Sequence, residues 1–309
     1  MVQSYKTISR FLPGLFSGLA LLSVLISMSA LAQTKPVNRR GFQQFTAYSY
    51  RFALPEAQAG EVWKYLQQQS PHKPGGRPDE DNLIDLYFDS GGQQLLKQGV
   101  ILRERLFISG AGRKQVVQLI IPAPQQPGQT YQLEFRPNRK PDKGRGFTTH
   151  SLLKLIRTKD RPALDSLLQP YQVRATELKP VLEITRNRRQ LYLRRGNTGL
   201  VVSFSQLKSE APEHVYTELE ISPDRKTFTQ SQPDGQQQLM ATTRALAQQL
   251  QQKFPALEPE TRSQYQKMVE LRKSISPGFS RTKVIFGLVL LLGMVGFYFL
   301  RKKFRKDLE

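Results

Sequence analysis

The feature that most restricts the fold of this chain is a period-two alternation of apolar and polar residues in eight short segments. In residues 131–136, one face of an extended backbone carries Tyr131, Leu133 and Phe135. The opposite face carries Glu134 and Arg136. Because successive side chains of a strand point to opposite faces, this pattern predicts strands bounded by Gly, Pro and Asn turns. The predicted strands cover residues 45–54, 83–88, 100–108, 114–121, 130–136, 181–193, 200–207 and 215–221.

Three other stretches have helical periodicity, at residues 56–69, 149–168 and 236–253. The last is rich in Gln, but Leu239, Leu246 and Leu250 recur at helical spacing, which indicates an amphipathic packing helix. Residues 71–81 are rich in Pro and Gly and predict a loop.

The second face of the predicted strands carries arginine and glutamate in strand after strand. Arg103 and Arg105 share a face, as do Arg186 and Arg188, and Glu218 and Glu220 form a third pair. The guanidinium fork suits phosphate oxygens, and paired carboxylates can hold a divalent cation. Two arrangements are open: a half-exposed sheet whose charged face meets water, or a closed sheet that encloses a charged tunnel.

The charge of the chain points to a polyanionic partner. Lys and Arg number 46 against 25 Asp and Glu, a formal charge of +21. Without residues 1–32 and 301–309, 39 basic and 23 acidic residues remain, a charge of +16, so the excess belongs to the central domain. A solvated basic surface is the alternative. Nucleic-acid binding ranks lower because no nucleic-acid module signature is present.

Cysteine is absent, which excludes disulfides, thiolate metal sites and thiol nucleophiles. The three histidines are far apart in sequence, so the residues give no zinc motif.

The two ends of the chain predict export and membrane anchoring. Residues 1–32 have a basic start, an apolar run and Ala30-Leu31-Ala32, the pattern of a cleaved signal peptide, with an uncleaved anchor as the alternative. Residues 284–300 form an uncharged apolar run, followed by a basic tail at residues 301–309. We therefore expect a polar leader at residues 33–44, an extracytoplasmic domain at 45–275, one transmembrane helix and a cytoplasmic tail.

Several motifs resemble those of the CYTH or triphosphate-tunnel superfamily, most nearly the VTC domain of polyphosphate polymerases. Residues 86–90 read Leu-Tyr-Phe-Asp-Ser, and Gly99, Leu102, Arg103 and Arg105 follow, similar to the family's Y-[YF]-D-T and G-x-x-L-R-x-R. Residues 131–136, 218–221 and 263–265 resemble its L-E-x-K, E-L-E-[IV] and S-K-Y stretches. The resemblance covers roughly residues 45–270 and implies an α+β fold: an antiparallel β-tunnel with flanking helices.

The resemblance also implies a site. Its phosphate-binding residues would be Arg51, Arg103, Arg105, Arg136, Lys143, Arg145, Arg186 and Arg188. Its ligands for Mg²⁺ or Mn²⁺ would be Glu134, Glu218 and Glu220. The chain departs from the family pattern at the first strand, where Ala47 and Ser49 replace two glutamates, and Ser222 and Ser205 stand where Lys and Asp are expected. No catalytic residue is assigned, and we expect weak or absent turnover.

Three functions follow as expectations. The first is a membrane-anchored, extracytoplasmic domain that binds polyphosphate, triphosphate or a similar polyanion. The second is a metal-dependent triphosphatase or polyphosphate-processing enzyme. The third is a structural envelope protein that binds anionic polymers or lipids. The direction of the arginines distinguishes them, because arginines that converge inside a barrel favour phosphate binding and arginines spread over its outside favour the third function.

Overall fold

The computed structural model describes residues 42–70, 79–109, 112–124, 126–138, 151–195, 198–210 and 213–275. The predicted signal peptide, transmembrane helix and basic tail lie outside these ranges, as do Lys143 and Arg145. Within the described ranges, no helix combines the length and apolar character needed to cross a membrane.

The described chain contains ten strands and seven α-helices, with short 3₁₀ turns between some of them. The strands are β1 (Phe42–Tyr48), β2 (Tyr50–Ala53), β3 (Asp79–Asp89), β4 (Ile101–Ser109), β5 (Gly112–Pro122), β6 (Gln129–Phe135), β7 (Lys179–Arg195), β8 (Thr198–Glu210), β9 (Glu213–Pro223) and β10 (Glu258–Pro259). The helices are α1 (Glu56–Gln68), α2 (Gln94–Lys97), α3 (Leu152–Leu155), α4 (Arg161–Leu168), α5 (Arg225–Gln230), α6 (Pro233–Lys253) and α7 (Gln264–Ile275).

The strands form one antiparallel sheet whose two ends are brought together by the chain itself. The strand order is β1-β6-β5-β4-β3-β7-β8-β9-β2-β10. β1 and β2 therefore stand near opposite ends of the ladder, yet Ser49 alone separates them in sequence. Tyr48 and Tyr50 are two residues apart, so their Cα atoms lie within about 7 Å of each other. The sheet must therefore curl round until its edges meet, which gives the β-tunnel.

The strand register places the charged face inside this barrel. Asp85 lies opposite Arg105, and Arg103 lies opposite Gln118, which in turn lies opposite Glu134. On the other half of the sheet, Ser203 lies opposite Glu220, and Glu220 lies opposite Arg51. These positions share one parity across the sheet, so their side chains share the inward face.

The outward face is apolar and carries the helices. Phe88, Leu119 and Phe135 pack with buried residues of α3 and α4, such as Leu152 and Leu164. Around the barrel, a second cluster joins strands β2, β8 and β9 to helices α1 and α6; it includes Phe52, Val202, Leu219, Val62, Leu66, Leu246 and Leu250. The alternation seen in the sequence thus reflects helices outside and charge inside.

The last described helix, α7, closes one end of the barrel. Its Tyr265, Met268 and Val269 are buried in a cluster with inward-facing residues of five strands. Those strand residues are Tyr87, Ile101, Ile120, Leu182, Ile184 and Leu207. The ring of Tyr265 stacks on that of Tyr87, with centroids 4.9 Å apart and an interplanar angle of 14°.

The eight predicted strands and the helices at residues 56–69 and 236–253 are confirmed, with three differences. The predicted strand 45–54 is two strands, because the chain passes from one sheet edge to the other at Ser49, and it begins earlier, at Phe42. The predicted helix 149–168 is interrupted, because Ile156 is extended and pairs with Pro137. The predicted loop 71–81 ends at residue 78, where β3 begins.

Candidate functional site

The candidate site is the inward face of the barrel, where cationic and anionic side chains alternate. Its arginines are Arg51, Arg103, Arg105, Arg186 and Arg188. Its carboxylates are Asp81, Asp85, Glu134, Glu218 and Glu220. The lumen is therefore a network of opposite charges and not a purely basic channel.

Asp85 lies at the centre of one half of this network. Its Oδ1 accepts a hydrogen bond from Arg105 Nε and its Oδ2 one from Arg105 Nη2, both at 2.6 Å. Arg103 approaches the same carboxylate at 3.4 Å and donates from Nε to Gln118 at 2.9 Å. Burial by itself raises the pKa of Asp85, but the two guanidinium groups outweigh it and lower the pKa to about 2. Asp85 is therefore ionised in the folded protein at neutral pH.

The other half of the network centres on Arg186. Its Nε donates to Ser205 Oγ at 2.7 Å, and its Nη2 lies 3.4 Å from Glu220 Oε2. Gln264, the first residue of α7, reaches into the lumen: it accepts from Arg186 Nη1 at 3.3 Å and donates to Glu218 Oε1 at 2.6 Å. The closing helix thus contributes a polar side chain to the site as well as its apolar face.

Glu218 and Glu220 are two residues apart on β9, but their pKa values are shifted in opposite directions. Burial raises the pKa of Glu218 above its ordinary value, and Arg51, at 3.6 Å, offsets this only in part. Desolvation also acts to raise the pKa of Glu220, but Arg186, Arg51 and Arg188 outweigh it and lower the pKa. Glu220 therefore holds its proton more weakly than Glu218 does.

Charges also interact across the lumen. Burial lowers the pKa of Arg105, but Asp85 and, more weakly, Glu220 raise it above its ordinary value. Arg105 is on β4 and Glu220 on β9, with β3, β7 and β8 between them in the sheet. The two residues influence each other through the interior, as expected of a closed barrel.

The end of the barrel away from α7 has a basic mouth. A cavity of about 460 Å³ lies there, between the ends of β1, β5 and β6 and the turn before α4. Its basic residues are Lys114, Arg136, Arg157 and Lys159, and its acidic residue is Glu134. Glu134 is already engaged, since it accepts from Gln118 at 2.8 Å and pairs with Arg225 at 3.1 Å. The surroundings of the cavity are therefore positive.

Polar atoms without hydrogen-bond partners concentrate in the lumen. In the described ranges, seven buried side-chain polar atoms form no hydrogen bond. Five of them belong to inward-facing residues: Tyr87 Oη, Arg188 Nε, His214 Nε2, Tyr216 Oη and Glu218 Oε2. Tyr87 and Tyr216 lie in or against the apolar cluster at the α7 end, and Glu218 Oε2 faces Arg51 at 3.6 Å. Buried polar groups are paired in nearly all native proteins, so the unused Nε of Arg188 marks a place in the charged part of the lumen that can receive a polar ligand or water.

The structure brings together most, but not all, of the residues that the sequence predicts. Arg51, Arg103, Arg105, Arg186 and Arg188 share the lumen with the three glutamates. Arg136 instead lies exposed at the mouth. Glu134 stands apart from Glu218 and Glu220, because it lies on β6 and is held by Gln118 and Arg225. In the described part of the chain, no three carboxylate or imidazole groups are gathered closely enough to hold a metal ion.

Sequence reasoning missed the internal counterions. Asp81 binds Arg188 through a contact of 2.5 Å, and Asp85 binds Arg105, but neither aspartate was assigned to the site. A signal was present for Asp85, which interrupts the otherwise apolar residues 83–88, but Asp81 fell in the segment predicted as a loop.

Asp89, in the motif that carries the resemblance, has a structural role. Its carboxylate accepts from the backbone N–H groups of Ser90, Leu95 and Leu96 at 2.7–3.0 Å. It also accepts from Tyr265 Oη at 3.1 Å. Asp89 thus fixes the turn into α2 and ties it to α7.

Comparisons with known proteins give likenesses of structure only. No protein-family model matches the chain, and no curated protein matches it. Among solved structures, the PH1819 protein of Pyrococcus horikoshii aligns with a TM-score of 0.44 and 12% identity over 73% of this chain and 99% of that chain. HpAC1 of Hippeastrum, described as having a dominant triphosphatase activity, aligns at 0.42 and 14% over 74% and 95%. The Pct1 RNA triphosphatase of Schizosaccharomyces pombe aligns at 0.33 and 10% over 82% and 97%. With TM-scores below 0.5, these likenesses carry no conclusion about activity, and they give no support to the narrower likeness to the VTC domain.

Proposed function

We propose that the barrel binds an anion with several phosphoryl groups, such as tripolyphosphate or a longer phosphate chain. The observation that carries this proposal is the convergence of five arginines on one lumen, where the buried Nε of Arg188 has no hydrogen-bond partner among the described residues. Arginines inside the barrel favour this function over that of an envelope protein with a basic outer surface. Guanidinium groups bind phosphate oxygens through charge-assisted hydrogen bonds.

The arginines differ in how firmly their own carboxylates hold them. Arg105 is fixed by two short contacts to Asp85 and serves mainly to balance it. Arg51 makes only long contacts, 3.6 Å to Glu218 and 3.4 Å to the Thr261 carbonyl. Arg188 pairs with Asp81, but its buried Nε forms no hydrogen bond with a described residue. Arg51 is therefore the first candidate to turn toward an incoming phosphate group, and the buried Nε of Arg188 offers a further donor to it.

The second candidate function is metal-dependent hydrolysis of a triphosphate. Mg²⁺ is commonly held by one or two carboxylates together with phosphate oxygens of the substrate. Glu218 and Glu220 supply two inward carboxylates, and they fit such an ion only with the substrate's oxygens as further ligands. A bound Mg²⁺ or Mn²⁺ would neutralise phosphoryl charge. Glu134 would take no part in this site.

We also propose that the domain lies outside the cytoplasmic membrane and is anchored by residues 284–300. The support is the signal-like start and the apolar run near the end of the sequence. Nucleoside triphosphates are generally scarce outside the cytoplasm, so binding or hydrolysis suits this location better than synthesis from a nucleotide donor.

Calorimetric titration of the detergent-solubilised full chain with tripolyphosphate tests the proposed binding. The variant Arg51→Gln with Arg188→Gln removes two lumen charges, that of the loosely held Arg51 and that of Arg188, whose Nε forms no hydrogen bond with a described residue. The control, Lys64→Gln with Arg244→Gln, removes the same charge from exposed helical positions. We expect a loss of affinity of at least about tenfold, or 1.4 kcal/mol, in the first variant and little in the second. Equal losses, or no binding by the unmodified protein, would refute the proposed site.

A further inference from the structure

The lumen is closed at one end by α7, whose apolar side chains pack against the inward-facing residues of the surrounding strands. Tyr265, Met268 and Val269 of α7 are at most 8% exposed and contact inward residues of β3, β4, β5, β7 and β8. The Tyr265 hydroxyl is tied to Asp89, and Gln264 is tied to Glu218 and Arg186. The start of the helix is fixed in turn, because Arg262 binds both Glu260 and Glu270. A ligand does not pass through this end while α7 is in place.

The mouth at the other end offers exposed cations without a carboxylate partner among the described residues. Lys114, Arg136 and Lys159 are exposed around the cavity, and in the described ranges none of them forms an ion pair. The ammonium group of Lys114 lies 5.7 Å from the centroid of the Phe107 ring, and Lys114 lines the cavity. The inward register continues from this rim to Arg105 and Arg103, since Lys114 lies opposite Phe107 and Val116 opposite Arg105. The cations at the mouth and the buried arginines therefore lie along one face of the sheet.

From this geometry we infer that the protein recognises the free end of a linear phosphate chain and cannot grip a chain by its middle. The inference rests on the proposed function and narrows its ligand. A chain that enters a blind tunnel can place only its terminal phosphoryl groups near the buried arginines. The phosphoryl groups that follow then lie at the mouth, where Lys114, Arg136 and Lys159 neutralise them. A segment without a free end would have to bend double inside the barrel and would bring twice the negative charge.

The first experiment compares two forms of one medium-length polyphosphate that differ only at their ends. In one form, both terminal phosphates are capped with ethanolamine through phosphoramidate bonds, which leaves the internal charges unchanged. Binding to the full chain is measured by calorimetry per polyphosphate molecule, at near-physiological salt so that surface attraction is screened. Capping should weaken binding at least about tenfold, or 1.4 kcal/mol. Equal affinity for the two forms would overturn the inference.

The second experiment tests the mouth. The triple variant Lys114→Gln, Arg136→Gln, Lys159→Gln is compared with Lys64→Gln, Lys97→Gln, Arg244→Gln, which removes equal charge from exposed helical positions elsewhere. All six side chains are exposed, so both variants should fold. The mouth variant should lose affinity for the uncapped long chain while its affinity for tripolyphosphate changes little. Equal losses in the two variants would show that net charge alone holds the chain, and would overturn the assignment of the mouth.

The two proposals fail in different ways. If the unmodified protein binds neither tripolyphosphate nor the long chain, the proposed function fails and takes this inference with it. If tripolyphosphate binds and capped chains bind as well as uncapped ones, the proposed function stands and only the recognition of the free end fails.

Discussion

Asp85 and Arg105 lie directly opposite each other on β3 and β4 and form a two-point ion pair, with both contacts at 2.6 Å. Asp85 is 1% exposed and Arg105 6%, so the pair is buried in the barrel wall. Arg103 shares the same carboxylate. One aspartate is therefore the counterion of two arginines in the low-dielectric interior.

Replacing this aspartate should be costly. The variant Asp85→Asn keeps the shape of the side chain but leaves two buried guanidinium groups without a counterion, and loss of one partner from a buried pair costs about 3–5 kcal/mol. Urea denaturation at neutral pH measures the change, with the exposed Asp234→Asn as the control. Unfolding free energies within 1 kcal/mol of each other for the two variants would contradict the assigned role.

The same pair predicts acid sensitivity. The pKa of Asp85 is lowered from 3.8 to about 2, so the folded protein holds this proton more weakly than the unfolded chain. Its contribution to stability is fully present above about pH 4 and is lost as the pH falls toward 2. Unfolding curves across this range should therefore show a smaller acid-induced loss in Asp85→Asn than in the unmodified protein.

Glu104 predicts the opposite dependence. It is 1% exposed on the outer face of β4, and burial raises its pKa from 4.5 to about 7, while a hydrogen bond from Gln115 lowers it and Glu183 raises it further. The folded protein thus binds this proton more tightly than the unfolded chain. The contribution of Glu104 to stability should be fully present below about pH 4.5 and should be lost as the pH rises toward 7, by about 3 kcal/mol in total, since one pKa unit corresponds to 1.36 kcal/mol.

The variant Glu104→Gln removes this titration and should be more stable than the unmodified protein at pH 8, with little advantage at pH 4. Thermal denaturation at the two pH values measures the difference. Glu61→Gln, on the exposed side of α1, serves as the control and should show no such dependence. Loss of stability in Glu104→Gln at pH 8 would mean that the charged carboxylate is needed.

The closing helix can be tested through one hydroxyl group. Tyr265→Phe keeps the ring that stacks on Tyr87 but removes the hydrogen bond to Asp89. A hydrogen bond to a charged group contributes about 1.5–3 kcal/mol, so urea denaturation should show a loss of that size. Tyr65→Phe, whose hydroxyl accepts from the exposed Gln249 side chain, is the matched control and should change little.

How much of this the sequence could predict depends on which side of each strand a residue occupies. The outward apolar face is regular, so period-two alternation located nine of the ten described strands, with β1 and β2 merged into one segment, and missed only the two-residue β10. At the closed end the inward face is apolar as well, because Leu182 and Ile184 pack against α7. In these segments both faces of the strand are apolar, so the alternation does not show which face points into the barrel. Partners across the lumen, such as Gln264 with Glu218, depend on how the barrel closes, and no local pattern encodes that.

The proposed topology can be checked with two reporters. A reporter fused after Glu309 should be cytoplasmic, because the basic residues of the tail favour that side. A reporter inserted between Gly75 and Gly76 should be exported. Alkaline phosphatase activity at each position measures the side of the membrane, and the same side for both would contradict a single C-terminal anchor.

The affinity of the barrel for a divalent cation should be low, because β1 and the residue that follows it supply no carboxylates. The resemblance places two glutamates where this chain has Ala47 and Ser49, and Ser49 forms a hydrogen bond with Glu220. Divalent-cation affinity depends on the number of charged oxygen ligands, and Glu218 and Glu220 are already engaged by Arg51, Arg186 and Gln264. Mn²⁺ alone should therefore leave the melting temperature of the protein unchanged, and phosphate release from tripolyphosphate in Mn²⁺ should be slow.

The double variant Ala47→Glu, Ser49→Glu adds carboxylates beside Glu220 and should acquire a Mn²⁺-dependent rise in melting temperature. Rapid Mn²⁺-dependent phosphate release by the unmodified protein would instead establish the triphosphatase function and show that two lumen glutamates suffice.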